Sequence, residues 1–303
     1  MAGLIHLLCF PLFSISFLLF TSGVFPATFT VVNQCSYTVW PGILSGAGTP
    51  PLSPTGFTLH TGEQTTISVP ASWSGRLWGR TLCSTDSITG KLTCLTGDCG
   101  SGEIECRGAG AAPPATLAEF TLNGAGNLDF YDVSLVDGYN LAMLVVPQGG
   151  TGANCIATGC VVDLNESCPA ELKVTSGGAK EGMACKSACE AFGDPQYCCS
   201  GEYATPDTCK PSSYSQYFKT ACPRSYSYAY DDGSSTFTCS PADYVITFCP
   251  APATSRKSSG GQNSGQPDVS LVSSSSQPSW SVAGFVAVLA VAVVISVNSI
   301  SSM

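Results

Sequence analysis

Glu119, Asp129, Asp132 and Asp137 crowd into the stretch Leu117–Asn140, LAEFTLNGAGNLDFYDVSLVDGYN, where two apolar runs alternate with acidic residues. Carboxylates gathered on strands can hydrogen-bond the hydroxyls of a polyol. Two that flank a glycosidic bond are the minimum for its hydrolysis, one as acid and one as base or nucleophile. Residues two apart on a strand share a face, so Phe130, Asp132 and Ser134 are expected on one side and Tyr131, Val133 and Leu135 on the other. Parity alone places Asp137 with the second set. A bend at Val136–Gly138 is needed to bring it beside Asp132, and Gly138 has the backbone freedom for one. The bland alternative is a half-solvated hairpin whose acids face water.

The elements that must hold these groups follow from the surrounding pattern. Leu117, Ala118 and Phe120–Leu122 read as one strand and Phe130–Val136 as the next, with turn chemistry at Asn123-Gly124 and Gly126-Asn127. From Ala27 to Thr81 come short β-type runs (Thr28–Val32, Tyr37–Trp40, Phe57–Leu59, Gln64–Val69, Leu77–Arg80) between Gly/Pro/Ser clusters, the pattern of a sandwich or barrel. Strand character continues through Ala115–Val146 and returns at Tyr226–Tyr230, Phe237–Cys239 and Tyr244–Phe248. Two Cys-rich stretches interrupt it. Cys83–Cys106 has Cys spacings of 10, 4 and 6 residues, too short to enclose much core, and suggests local disulfide loops. Cys155–Cys222 carries nine Cys and helix-compatible segments at Ala184–Phe192 and Ser212–Ala221, so bridges are expected to hold it more than apolar burial.

Composition bounds the compartment. The chain has 303 residues, 17 Cys and only 11% charged residues. Residues 1–26 read as a secretory signal, an apolar run ending in small residues but without Lys or Arg in front; cleavage after Gly23 or after Pro26 is compatible. Its removal takes Cys9 and leaves 16 Cys, enough for eight bridges in an oxidising compartment. Both His residues, His6 and His60, stand apart from the Cys clusters and no paired CxxC occurs, so neither metal nor other cofactor is expected. Between Ala27 and Pro250 lie 20 acidic and 10 basic side chains, a net charge of −10 that would repel nucleic acid. Neither a Gly-rich phosphate loop nor G-x-S-x-G is present. Asn165-Glu166-Ser167 is a sequon, so Asn165 is a candidate for N-glycosylation. Residues 251–281 form a Ser/Gly/Pro-rich stalk, and 282–303 an apolar tail whose run Val282–Val297 is short for a membrane helix and has no basic flank. A glycosylphosphatidylinositol (GPI) signal fits better, with attachment at Ser274 among Ser273–Ser276, or alternatively at Asn263-Ser264-Gly265; a single-pass tail anchor is the competing reading.

From Gly90 to Cys106 the chain reads GKLTCLTGDCGSGEIEC, and it resembles the plant thaumatin-like proteins of the pathogenesis-related, osmotin type. Their signature, G-x-[GF]-x-C-x-T-[GA]-D-C-x(1,2)-[GQ]-x(2,3)-C, is matched at every constrained position except Leu92. Further runs carry the same resemblance over Ala27–Pro250: NQCSYTVWPG, GRLWGRT, ATLAEFTL, DFYDVSLVDGYN, QYCCSG, YATPDTC and CPRSYSYAYDDGSSTFTC. The resemblance implies a mainly β fold. Its thaumatin-like β-sandwich would use residues 27–81, 115–161 and 223–250, with a small disulfide loop domain at 82–114 and a disulfide-rich helical domain at 162–222. It also implies the pairs Cys35–Cys249, Cys83–Cys94, Cys99–Cys106, Cys155–Cys239, Cys160–Cys222, Cys168–Cys185, Cys189–Cys198 and Cys199–Cys209, which spacing alone does not select.

By the same resemblance, a cleft between the sandwich and the Cys-rich domain is lined by Arg76, Glu119, Asp132, Asp137 and Asp231, with Asp232 a less suitable occupant of the last place. Four carboxylates against one guanidinium favour a neutral polyol and disfavour acidic polymers. A β-1,3-glucan or related neutral polysaccharide is the expected partner, and Trp78, Phe130, Tyr131 and Tyr228 are candidate faces for its rings. Two functions follow: a defence-related, antifungal glycan-binding protein, or a weak endo-β-1,3-glucanase with Glu119 as acid and Asp132 as its partner. Binding is the preferred one, and a rigid surface platform with a vestigial cleft is a third. The protein is expected to be a monomer held by a lipid anchor on the outer face of the plasma membrane, facing the cell wall.

Overall fold

The computed structural model describes residues 26–175 and 182–251. The expected signal peptide up to Phe25, the stalk beyond Ala251, the apolar tail and Ser274 lie outside the described residues. In chain order the strands are β1 (Ala27–Asn33), β2 (Trp40–Ser45), β3 (Gln64–Val69), β4 (Ser74–Thr85), β5 (Leu92–Thr96), β6 (Leu117–Thr121), β7 (Asp129–Ser134), β8 (Met143–Gln148), β9 (Thr158–Cys160), β10 (Lys173–Val174), β11 (Ala184–Cys185), β12 (Phe237–Cys239) and β13 (Asp243–Phe248). One sheet has the order β3-β1-β13-β8-β9, antiparallel except where β1 runs parallel to β13. The other has the order β12-β7-β6-β4-β2, and β5 pairs with the far end of β4. The fold among the described residues is mainly β, with eight disulfides and a few short helices.

Alternation along the strands builds the core between the sheets. Phe29 and Val31 of β1 and Tyr244, Ile246 and Phe248 of β13 face Leu77, Ala118, Phe120, Tyr131 and Val133 of the opposite sheet. Aromatic rings knit the two layers. Phe120 lies 4.4 Å from Phe29 and 5.1 Å from Tyr244 between centroids, and Tyr131 is 5.1 Å from Tyr244. The buried carboxylate of Asp129 is satisfied there, accepting hydrogen bonds from the Tyr244 hydroxyl (2.9 Å) and from the amides of Ala242 (3.2 Å) and Asn123 (2.8 Å). This acid therefore belongs to the core and not to the cleft.

Parallel pairing of the first and last strands brings Cys35 beside Cys249, and the bridge closes the sandwich. The other bridges are Cys83–Cys94, Cys99–Cys106, Cys155–Cys239, Cys160–Cys222, Cys168–Cys185, Cys189–Cys198 and Cys199–Cys209. Buried Arg80 fastens the small loop region to the sheet by donating to the carbonyls of Trp40, Pro41, Glu103 and Ile104.

Four expected elements come out differently. Of the strand expected over Tyr37–Trp40 only Trp40 is in a strand, as the first residue of β2, and Val39 makes an isolated bridge. The helix expected over Ala184–Phe192 is divided, because Cys185 exchanges backbone hydrogen bonds with Tyr139 (2.8 and 2.7 Å) and Ser187 then caps a short helix α1 (Ala188–Phe192). Helices α2 (Pro195–Cys198) and α3 (Ser213–Ala221) follow. Phe57–Leu59 contributes one isolated bridge, Leu59 to Val39, in place of a strand. Tyr226–Tyr230 touches β7 only through Tyr226, then turns into α4 (Asp232–Ser235).

Candidate functional site

Strand register sets the centre of the site. Arg76 of β4 is paired across from Glu119 of β6, and Glu119 across from Asp132 of β7. Their neighbours Leu77, Ala118 and Val133 form the matching row on the core side. Pleating thus turns the three charged side chains to the outer face as adjacent members of one row, with cross-strand Cβ spacings of about 4.5–5.5 Å.

Asp137 joins them through a turn. The Gly138 amide donates to the Leu135 carbonyl (3.0 Å), and Gly138 has φ of 85°, a left-handed conformation in which other residues are strained. A Cβ there would stand 2.7 Å from the Cys185 carbonyl oxygen and 2.9 Å from Pro114 Cβ, so both conformation and space demand glycine. The bend required by strand parity is this turn.

The residue in the last acidic place is corrected from Asp231 to Asp232. Asp231 Oδ2 is held by Lys219 Nζ at 2.9 Å and accepts from the Ser227 amide (3.0 Å) and hydroxyl (2.9 Å), which ties α3 to the loop before α4. Asp232, one residue on, lines the cavity and accepts from the Tyr226 hydroxyl at 2.7 Å. Two surface cavities meet over the row Arg76, Glu119 and Asp132. One of about 480 Å³ runs past Leu44–Ala47, Thr121 and Phe130. Another of about 350 Å³ runs past Ser134, Val136, Asp137, Tyr226 and Asp232. Sequence reasoning missed Tyr226 and the Leu44–Ala47 wall. Tyr226 lies inside the CPRSYSYAYDDGSSTFTC run, but nothing about its type separates it there from Tyr228 and Tyr230.

Burial dominates the electrostatics. It pushes the Asp132 carboxyl well above the usual Asp range, and the negative charges of Glu119 and Asp232 push in the same direction. Asp132 Oδ2 is shielded from solvent and has no hydrogen-bond partner. The Glu119 carboxyl is also raised, first by burial, with Arg76 opposing the shift and Asp137 adding to it. Among the described residues the ion pairs are Arg107–Glu103, Lys186–Glu190 and Lys219–Asp231, so Arg76 has no carboxylate within 4.0 Å. Arg76, Glu119 and Asp132 thus face the cleft with hydrogen-bonding capacity unused by the fold. Both carboxyls are thus shifted toward the protonated form, the direction a general acid requires.

Other expected site residues are distributed unevenly. Trp78 is fully buried, its Nε1 donating to the Gly97 carbonyl (2.8 Å), and Tyr131 is core, its hydroxyl donating to the Ile156 carbonyl (2.8 Å). Neither can meet a sugar. Phe130 does line the larger cavity, while Tyr228 borders a neighbouring crevice. Asn165 is half-buried, with its Nδ2 donating to the Asn140 carbonyl (2.9 Å) and its Oδ1 shielded from solvent. Among the described residues no group of His, Cys, Asp and Glu is arranged to hold a metal ion, and no helix is long and apolar enough to cross a membrane.

The profile of the Thaumatin family matches residues 33–250. The chain belongs to the thaumatin family. This thaumatin-like chain is 62% identical over 230 residues to "Thaumatin-like protein 1" of Arabidopsis thaliana, covering 74% of the present chain and 86% of that one. It is 59% identical over 223 residues to "Pathogenesis-related thaumatin-like protein 3.5" of Cryptomeria japonica, covering 74% and 90% respectively. It is also 56% identical over 234 residues to "PR5-like receptor kinase" of Arabidopsis thaliana, covering 76% of the present chain but 35% of the kinase. The family is one of thaumatin-like defence proteins, pathogenesis-related in name and stapled by disulfides.

Proposed function

We propose that the cleft binds a neutral β-1,3-glucan or a closely related polysaccharide, and that the protein acts in antifungal defence. The observation that carries this reading is the row Arg76, Glu119 and Asp132, three adjacent polar side chains with hydrogen-bonding capacity the fold does not use, flanked by Asp137 and Asp232. Sugar hydroxyls both donate and accept, so they can pair with a guanidinium and with carboxyl groups in either protonation state in one site. The excess of acids turns away polyanions. Pull-down of the secreted Ala27–Pro250 fragment on insoluble β-1,3-glucan tests it. Wild type should be retained and Asp132→Ala lost to the wash; equal retention of both removes the cleft from the account.

A weak endo-β-1,3-glucanase is the second reading, favoured by the raised Asp132 carboxyl next to Glu119. Glu119 would protonate the leaving oxygen, and Asp132 would activate water or attack the anomeric carbon. Release of reducing sugar from soluble β-1,3-glucan, lost in Glu119→Gln, is its signature. No release above that variant leaves binding as the function.

Attachment to the outer face of the plasma membrane through a GPI anchor at Ser274 completes the proposal. Phosphatidylinositol-specific phospholipase C should then release the protein from intact membranes. Protein that stays in the detergent phase and still contains Val282–Val297 by mass spectrometry would be tail-anchored instead.

A further inference from the structure

Three aromatic residues of the Cys-rich region have no part in the cleft just described. Phe192 at the end of α1, Tyr197 in α2 and Tyr214 in α3 meet at the surface, with ring centroids 5.7 Å (Phe192 to Tyr197), 5.3 Å (Phe192 to Tyr214) and 5.8 Å (Tyr197 to Tyr214) apart. Phe192 is 45% exposed, and the other two rings are half-buried around it. The bridge Cys189–Cys198 fastens α1 to α2, and the Tyr214 hydroxyl donates to Glu171 Oε1 at 3.2 Å. A single exposed Phe on a surface is ordinary. This one is wedged between two other rings on a cross-linked frame, so it has little side-chain freedom left to lose when something binds.

Position supplies the occupant. Val136 lines the acidic cavity beside Asp137, and it also lines a crevice whose other walls include Tyr228, Gln196 and Tyr197. Tyr197 in turn touches Phe192. The crevice encloses only about 20 Å³, less than a sugar ring needs, so a chain leaving the cleft on this side would pass over its rim and reach the aromatic group. The C–H faces of a pyranose are apolar and suit the negative face of an aromatic ring.

Resting on the reading of the cleft as a glycan site, we infer that Phe192, supported by Tyr197 and Tyr214, is a second contact for the same neutral polymer. The cleft holds one segment of the chain and Phe192 seats a ring further along. Binding at the second contact is then intramolecular, so long chains are preferred over short ones without any new group in the cleft.

Titration calorimetry with a soluble long-chain β-1,3-glucan and with a short β-1,3-linked oligosaccharide tests this on wild type, Phe192→Leu, Phe192→Tyr and Asp132→Ala. Phe192→Leu keeps apolar bulk but no ring. It should weaken the polymer about tenfold and leave the oligosaccharide unchanged, the latter also reporting an intact cleft. Phe192→Tyr should bind both as wild type does, and Asp132→Ala should lose both. Polymer affinity unchanged in Phe192→Leu, with Asp132→Ala still defective, overturns the second contact and leaves the cleft standing. Equal loss of polymer and oligosaccharide in Phe192→Leu also overturns it, since that marks a general disturbance of the fold. Wild-type affinity in Asp132→Ala, or no binding by wild type, brings down the cleft reading itself and the second contact with it.

Discussion

The sandwich and the Cys-rich region solve the same problem by different physics. In the sandwich one continuous cluster of 25 buried residues includes only two Cys, Cys35 and Cys239. The Cys-rich cluster among the described residues has nine members, and four of them are Cys: Cys160, Cys168, Cys185 and Cys222. Two sheets packed face to face bury enough apolar surface to offset the entropy of ordering the chain, whereas short helices and two-residue strands do not. Cross-links that restrict the unfolded chain make up the difference. The cleft lies where the two regimes meet: its charged row is fixed by sheet register, and its far wall by a turn and a disulfide-held loop.

The largest effect should come from the sandwich. Phe29 packs against Trp73, Phe120 and Tyr244, and Phe29→Ala should cost about 3–5 kcal/mol in denaturant unfolding. Amide exchange should rise in both regions together, because the sandwich carries the other. Replacing Cys160 and Cys222 by Ser should cost about 3 kcal/mol. Exchange should then rise selectively over residues 160–222 while β1 and β13 stay protected. If β1 and β13 open to the same extent in that variant, the two regions are one cooperative unit and are not held by different means.

Gly138 sits on the joint, so its replacement sharpens the comparison. Ala at this position meets both a positive φ and the Cys185 carbonyl, and should cost about 1–3 kcal/mol. Displacing Asp137 should also weaken glycan binding, while Arg76, Glu119 and Asp132 keep their register. Unaltered binding in a destabilised Gly138→Ala protein would show that Asp137 is dispensable.

The smallest effect has the opposite sign. The Asp132 carboxyl is raised in the folded state, so the native protein binds more protons than the unfolded chain between the ordinary Asp range and the raised value. Its contribution to stability is therefore lost as pH rises through that window. Asp132→Asn removes the buried charge and should stabilise the protein by about 1 kcal/mol at neutral pH. It should also flatten the decline of stability above pH ~4. A variant less stable than wild type at neutral pH would mean that the ionised carboxylate is held by interactions stronger than its desolvation.

Much of the sandwich could be read from alternation, since a period of two in Thr28–Val32, Gln64–Val69 and Tyr244–Phe248 leaves few other ways to hide the apolar face. The Cys-rich region was less legible. Helix propensity over Ala184–Phe192 lost to backbone pairing between Cys185 and Tyr139, residues distant in sequence. The aromatic candidates split for a related reason. Trp78 and Tyr131 have the right chemistry for sugars, but they serve a neighbouring loop and the core, and residue type does not reveal which face another segment covers.

By itself the sequence determined that Asp132 lies on the face opposite Tyr131 and Val133, because strand parity is local, and that Asp137 could join it only through a bend, for which Gly138 was the suitable residue. Charge and the apolar periodicity were likewise contained in composition and order. Only the tertiary structure decided which strands stand side by side, and so which charges form a row: Arg76 meets Glu119 across a separation of 43 residues through the pairing of β4 with β6. It also decided that Asp232 lines the acidic cavity while Asp231 serves Lys219, and that burial raises the carboxyls of both Asp132 and Glu119. Burial and the positions of distant charges are properties of the assembled fold, and no local pattern encodes them.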